Sequence, residues 1–433
     1  MKIKFLQAML LLGATLTGQA QAKNIEFWYG NTGSIEQAIL VACSQFNQSQ
    51  QNDKVTCVGM GSNEAGMQKA IAAYRAKKHP ALVQFFDAGT LDLMLSGAIV
   101  PLQAMTPQQD WQNILPGIRS YYETVKGELL SQPYNSSTLV LYVNQTQLAQ
   151  AGITQPPQTW EALVDAARAL RAKGHQCPFV TDAHPWRVLE EFAARHGVPI
   201  ASGHNGYDGL DVEYMFNQGL IAQHLKNLMT WRNAGLVRLE SDTRAGKMVQ
   251  AFNGGECAMM EGSTASYADT LQAFGDRYRV EVALAPIYQQ YQRHNTLVGG
   301  ASIWLMKGHD ADSVAAATAF LTFLRQPEQQ LKFTEATGYL PVTQSATTRL
   351  DQAPFKTDPR YTAARVGVSS LQQPTNADSR GIRLGFYVQF RDVFKEELQK
   401  VFSGKQDMQQ ALDRAKQRGD ELLHRFAATY GKS

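Results

Sequence analysis

The sequence predicts an α/β fold divided into two lobes, and three observations carry that expectation. Short apolar runs alternate with stretches of helical periodicity along much of the chain, the pattern of strands covered by helices on both faces. The chain has 433 residues, more than the ~250–300 at which a single hydrophobic core stops growing. Pro- and Gly-containing stretches at 131–133 and 298–300 are candidate crossings between lobes. Each lobe is then assembled from discontinuous segments, and several side-by-side crossings make a hinge.

The elements follow in order. Residues 24–29 read as a strand, and Ser34 as the N-cap of a helix with Ile35, Ala38, Ile39, Ala42 and Phe46 on one face. Residues 54–58 are the next strand, and Met67, Ile71 and Tyr74 mark the next helix. Residues 81–86 are apolar enough for a strand buried on both faces, so the sheet is expected to be parallel. The alternation resumes at 138–144. Thr159 caps a helix with Trp160, Leu163, Val164, Ala167 and Leu170 on one face. Residues 177–181 then read as a strand, 187–196 as a helix, 248–252 as the end of another helix and 256–260 as a strand. A long apolar run at 297–307 carries Gly299 and Gly300 in its middle. Beyond Asp310 the pattern is almost wholly helical, with a charged surface helix pair expected over 396–426.

Lys2 and Lys4 precede a mostly apolar run at 5–16, and Ala20-Gln21-Ala22 supplies a small-x-small cleavage pattern. This is the layout of a secretory signal peptide over 1–22, and the run is too short to span a bilayer, which takes about 20 residues. Lys23 rather than Cys follows the expected cut, so no lipid anchor is expected. The remaining 411 residues carry a formal charge of +1 in place of +3. A near-neutral chain is not built to coat nucleic acid or a membrane face.

In an oxidising compartment the four cysteines suggest disulfides, in three possible pairings. Cys43 lies on the first helix and Cys57 on the strand after it, close enough to bridge. Cys43–Cys57 with Cys177–Cys257 is therefore favoured, against the alternative of four buried thiols.

Catalytic patterns are missing. The nine histidines form no H-E-x-x-H or H-x-H arrangement. Ser263 follows a glycine without completing a G-x-S-x-G elbow. Gly59-Met60-Gly61 has Glu64 where a dinucleotide fingerprint needs its third glycine, and reads as a tight turn. No catalytic residue, metal site or cofactor is expected, which leaves a secreted phosphodiester hydrolase without its machinery. Small polar turns at strand ends fit binding instead: Gly61-Ser62-Asn63, Asn135-Ser136-Ser137 and Gly262-Ser263-Thr264. In α/β sheets ligands sit beyond the carboxyl ends of the strands, where N–H groups and hydroxyls can face an anion. The same residues also make turns that bind nothing.

Four blocks carry a resemblance: residues 130–138 (Leu-Ser-Gln-Pro-Tyr-Asn-Ser-Ser-Thr), 298–304 (Val-Gly-Gly-Ala-Ser-Ile-Trp), 337–341 (Thr-Gly-Tyr-Leu-Pro) and 381–385 (Gly-Ile-Arg-Leu-Gly). In order and in register, the chain resembles the extracellular solute-binding proteins of ABC importers, the group that includes the maltose-binding protein, and most closely its sn-glycerol 3-phosphate branch. The resemblance implies a two-lobed periplasmic binding protein fold, with one lobe at 23–131 plus about 295–340 and the other at 132–294 plus about 341–433. It implies a monomer that holds a small glycerol phosphate in the cleft and delivers it to a membrane permease dimer whose ATPase is a separate chain. Neither a cofactor nor nucleic acid is involved. A sugar or oligosaccharide receptor is the alternative.

Carried over position by position, the implied ligand contacts are Asn63, Asp87, Ser137, Trp186, Ser263, Gly300, Tyr339 and Arg391. Ser137, Ser263, Gly300 and Arg391 would form the phosphate set. Asp87 would accept from the diol, and Tyr339 would pack on the three-carbon chain. Without phosphate, the Arg391 charge is expected to stay in water. Asn63 stands where the branch has a tyrosine and Asp87 where it has a glutamate. Trp186 is one of a tryptophan pair whose other position is Ala183. A single aromatic wall weakens a choline contact while the smaller residues open space, so glycerol 3-phosphate and its diesters, such as glycerophosphocholine, are both expected candidates.

Overall fold

The computed structural model describes residues 23–431; the signal peptide expected over 1–22 lies outside them. Two sheets organise the chain. Strand β1 (Asn24–Tyr29) runs into helix α1 (Gly33–Ser49), then β2 (Lys54–Gly59), helix α2 (Asn63–Arg75) and β3 (Leu82–Phe86). β1 pairs in parallel with both β2 and β3. A short β4 (Ile99–Val100) and β5 (Gln132–Ser137) follow. The chain then passes to the second sheet at Thr138, where β6 (Leu139–Asn144) begins. Helix α3 (Trp160–Ala172), β7 (Phe179–Thr181), helix α4 (Gly219–Asn233), β8 (Val237–Leu239), β9 (Met259–Ser263) and β10 (Val280–Leu284) complete that sheet and its cover. β11 (Gly299–Met306) returns to the first sheet. The helical remainder includes α5 (Ala311–Arg325), α6 (Pro327–Thr337), α7 (Thr362–Leu371), α8 (Tyr387–Phe402) and α9 (Met408–Tyr430).

The strand orders are β2-β1-β3-β11-β4, with β5 also on β11, and β10-β6-β9-β7-β8. Both sheets are mixed, which corrects the parallel expectation. β11 runs antiparallel to β3, β4 and β5, and β6 antiparallel to β9 and β10. The first lobe packs Phe27, Leu82, Ile303 and Phe320 into its core. The second packs Leu141, Trp160, Phe179, Leu225 and Phe394. Each of those apolar side chains contributes on the order of 1.5–3 kcal/mol when fully buried.

Several boundaries move. Thr32, not Ser34, occupies the cap position of α1, and Ser34 donates to Asp269 instead. Residues 248–253 are a short helix of their own rather than the end of a longer one. The strand expected at 256–260 runs at 259–263, because Cys257 and Ala258 lead into it from a turn at Gly254–Gly255. The lobe boundaries also differ from the expected ones. β5 pairs with β11, so 132–137 belongs to the first lobe. The helix at Gln344–Leu350 packs on α6 in the first lobe, whereas α7 packs on β6 and β10. The C-terminal helix pair is more than surface: Phe390 and Phe394 of α8 and Leu412 of α9 are fully buried.

Bridges Cys43–Cys57 and Cys177–Cys257 join α1 to β2 and the start of β7 to the lead-in of β9. Their Cα separations are 6.5 and 4.6 Å.

Candidate functional site

Asn63, Asp87, Ser137, Trp186, Ser263, Gly300, Tyr339 and Arg391 all line one cavity of about 290 Å³ between the sheets. The elements explain how residues so far apart in sequence meet. Asn63 is the first residue of α2, capped by Ser62, whose Oγ accepts from Ala65 N–H. Asp87 directly follows β3, and Ser137 ends β5. These come from the first lobe. Ser263 ends β9 and caps the turn after it, accepting from Ala265 N–H at 3.2 Å. Trp186 opens a π-helical segment, Trp186–Glu191, that runs on into Phe192–His196. Arg391 projects from α8. These come from the second lobe.

Gly300 sits at φ +89°, and a Cβ there would fall 2.0 Å from the Asn135 carbonyl oxygen. Only glycine tolerates both conditions. This close approach also brings Tyr339 alongside, which stacks on Phe333 at 5.8 Å between centroids. Gln84, buried in β3, accepts from Gly30 N–H and donates to Asn31 and Asn135 at 2.8 Å each. Its amide fixes the turns behind the cavity floor, so a buried polar group on an otherwise apolar strand is fully used.

Arg391 is the electrostatic centre. Its guanidinium donates from Nε to Glu190 Oε1 at 2.7 Å and from Nη2 to Glu190 Oε2 at 2.6 Å, and it also pairs with Asp87. All three side chains are buried. Burial opposes the Arg391 charge, but Asp87 and Glu190 outweigh it and hold the group well above its ordinary pKa. Burial raises the Glu190 carboxyl, with Arg391 acting against that rise. The expectation that Arg391 stays in water without phosphate is therefore corrected. Two carboxylates already satisfy it, because a buried guanidinium needs partners.

Sequence reasoning missed several lining or supporting groups, among them Glu190, Arg187, His184 and Lys395, with the carboxylates Glu64 and Asp392 also on the wall. Glu190 sits one turn beyond Trp186, and Lys395 one turn beyond Arg391 on α8, a spacing that puts each on the same helical face as a residue already singled out. Arg187 is ion-paired with Asp182 at 2.8 Å and lies over the Trp186 ring at 5.5 Å. Burial, aided by the Arg391 charge, lowers the His184 pKa to about 3, so its ring is neutral. His184 Nδ1 accepts from Trp186 N–H at 3.1 Å. Trp186 itself lies against Gly299, where a Cβ would fall 2.6 Å from the indole. Among the described residues no cluster of three or more His, Cys, Asp or Glu is arranged to hold a metal, and no helix is long and apolar enough to cross a membrane.

Two mixed α/β lobes with polar strand ends facing one cavity define a solute-binding protein. The chain belongs to the bacterial extracellular solute-binding protein family, whose model matches residues 42–363. Among its relatives is the sn-glycerol-3-phosphate-binding periplasmic protein UgpB of Yersinia enterocolitica, 36% identical over 94% of this chain and 93% of that one. The protein of the same name from Escherichia coli K12 is 34% identical over 98% of both chains. Of solved structures, UgpB from Mycobacterium tuberculosis in complex with glycerophosphocholine superposes with a TM-score of 0.76 at 21% identity, covering 93% of this chain and 98% of that one. The GacH receptor of Streptomyces glaucescens gives 0.77 at 16% identity, over 94% and 99%. At these identities the two structures speak for the fold.

Proposed function

We propose that this protein captures sn-glycerol 3-phosphate or a glycerophosphodiester outside the cytoplasm and presents it to the membrane permease of an ABC importer, whose ATPase is a separate chain. The observation that carries the reading is the convergence of eight residues from both lobes on one small cavity. Relatives covering nearly the whole chain are named for the same ligand class.

The chemistry divides the ligand into two ends. Arg391 spends its donors on Asp87 and Glu190, so it acts first as the anchor of two carboxylates. A glycerol hydroxyl can donate to Asp87 while accepting from the remaining guanidinium N–H. The phosphate end then falls to Ser137, Ser263, the Gly300 backbone and the first turn of α2 at Asn63. That set suits a phosphate, because hydroxyls and oriented N–H groups stabilise an anion without a dedicated counter-ion. Arg187 and Lys395 lie on the same cavity wall, each already paired with a carboxylate, Asp182 and Asp392, so they add little to the hydroxyl and N–H set. Because the contacts come from both lobes, ligand favours their closed arrangement.

Calorimetric titration tests the reading. Protein unfolded and refolded to strip bound ligand is titrated with sn-glycerol 3-phosphate, with maltose as the comparison. Micromolar or tighter binding of the phosphate and silence with maltose is the expected result. Tight maltose binding with no response to the phosphate would make it a sugar receptor.

A further inference from the structure

The cavity does not end at Lys395. A second cavity of about 400 Å³ shares His184 and Lys395 with the first and continues along α8. Its inner wall is the α8 stripe Lys395, Leu398, Gln399 and Phe402. These continue the face begun by Arg391, at spacings of four, seven, eight and eleven residues. At 1.5 Å per residue the stripe runs about 16 Å from the guanidinium. The outer wall comes from the turn after β7 and the turn after β8 and includes Ala183 and Ser241. Ala183 has nothing beyond its Cβ to close the passage.

The charges of this groove are all matched. Asp182 pairs with Arg187 at 2.8 Å, Arg232 with Asp242 at 2.8 Å, Lys395 with Asp392 at 2.7 Å, and Glu240 with Lys247 at 3.8 Å. Glu240 also accepts from Met248 N–H at 3.1 Å. No unpaired carboxylate waits for an ammonium, and no unpaired cation waits for a second phosphate. The nearby aromatic rings are engaged too: Arg187 lies over Trp186 in the central cavity, and in the groove Arg232 lies over Phe402 at 6.0 Å. A quaternary ammonium approaching either ring meets a guanidinium beside it. What remains is apolar floor from Leu239, Leu398 and Phe402, with Ser241, Gln399 and Ser403 as hydrogen-bonding rim.

We infer that the groove along α8 is a subsite for the second alcohol of a glycerophosphodiester, and that it takes an uncharged polyol in preference to a cationic head. The inference rests on the glycerol phosphate reading of the central cavity. The apolar floor receives the carbon chain of the polyol, and the neutral rim exchanges hydrogen bonds with its hydroxyls. The phosphate stays with the serine and N–H set of the central cavity, and the second alcohol leaves it past His184 and Lys395, the two residues that both cavities share.

Calorimetry on the mature protein decides it, using sn-glycerol 3-phosphate, glycerophosphoglycerol and glycerophosphocholine. The variants are Ser241→Trp and Gln399→Trp. Both positions are exposed, and neither lines the central cavity, so folding is not at stake. The wild type should bind glycerophosphoglycerol about tenfold more tightly than either other ligand, the equivalent of one or two net hydrogen bonds. Each tryptophan should remove that advantage while leaving glycerol 3-phosphate unchanged. If glycerol 3-phosphate binds but the diester gains nothing, or if both tryptophans leave the gain intact, the groove is not a subsite. A preference for the choline compound overturns the assignment of an uncharged head. Silence with all three ligands overturns the central reading itself, a result distinct from the others.

Discussion

At the residue scale the decisive feature is that one guanidinium serves two buried carboxylates. Arg391→Ala leaves Asp87 and Glu190 facing each other without a cation. Removing one partner of a buried pair typically costs about 3–5 kcal/mol. The variant should therefore lose stability as well as at least a hundredfold in ligand affinity. Arg391→Lys keeps the charge but not the planar fork that reaches both carboxylates, so it should fold better than the alanine variant and still bind at least tenfold more weakly than wild type. Thermal melts alongside titration check both. Unchanged stability in Arg391→Ala would mean that the carboxylates find protons or water instead. The family resemblance made Arg391 and Asp87 visible, but the sequence hid their relation, since a span of 304 residues separates them. Glu190 was hidden for a different reason. It lies one turn beyond Trp186 in a stretch that the sequence shows only as a helix, with no motif to single out its carboxylate.

At the element scale, that same segment stores titratable groups that the ligand does not touch. Glu191 is fully buried, and one of its oxygens accepts from Leu297 N–H at 3.0 Å, just before β11. Burial holds its carboxyl well above the usual 4.5. The folded state therefore keeps a proton that the unfolded chain releases. The stability linked to this group is fully present below about pH 4.5 and is lost as pH rises through the folded value. His196 runs the other way: burial lowers its pKa from 6.5 to about 3, so it costs stability as pH falls across that window. Glu191→Gln removes the first effect and spares the second. Relative to wild type it should be neutral near pH 4.5 and should gain stability as pH rises, by up to about 1.4 kcal/mol per unit. Urea unfolding at pH 4.5, 6 and 7.5 reads this directly, and a difference constant across pH would refute it.

The two disulfides differ as elements do. One closes a sequence separation of 14 residues and the other of 80. Chain entropy assigns them about 3 and about 4.5 kcal/mol respectively. Replacing Cys177 and Cys257 by serine should therefore lower the urea midpoint more than replacing Cys43 and Cys57. A reversed order would mean that native packing, rather than loop closure, sets their worth.

At the scale of the whole molecule, local periodicity announced the strands of each lobe but not their partners. β11 looks from its sequence like any buried strand. Its place between β3 and β5 follows from a return to the first lobe after the whole second sheet has formed. No short-range pattern encodes that return, which is why the sheets read as parallel and prove mixed. The same return sets the thermodynamics. Each lobe has its own core, one around Phe27 and Phe320, the other around Trp160 and Phe192. The cavity draws Asp87, Gly300 and Tyr339 from one lobe and Trp186, Ser263 and Arg391 from the other. A ligand that touches both stabilises only the state in which both are folded. At a hundred times its dissociation constant it adds about 2.7 kcal/mol to that state. Scanning calorimetry with saturating sn-glycerol 3-phosphate should thus move the unfolding of the two lobes upward together, while Arg391→Ala should show no ligand-dependent shift. If only one of two resolved transitions moved, the ligand would be held by a single lobe, and closure across the cavity would not be the binding step.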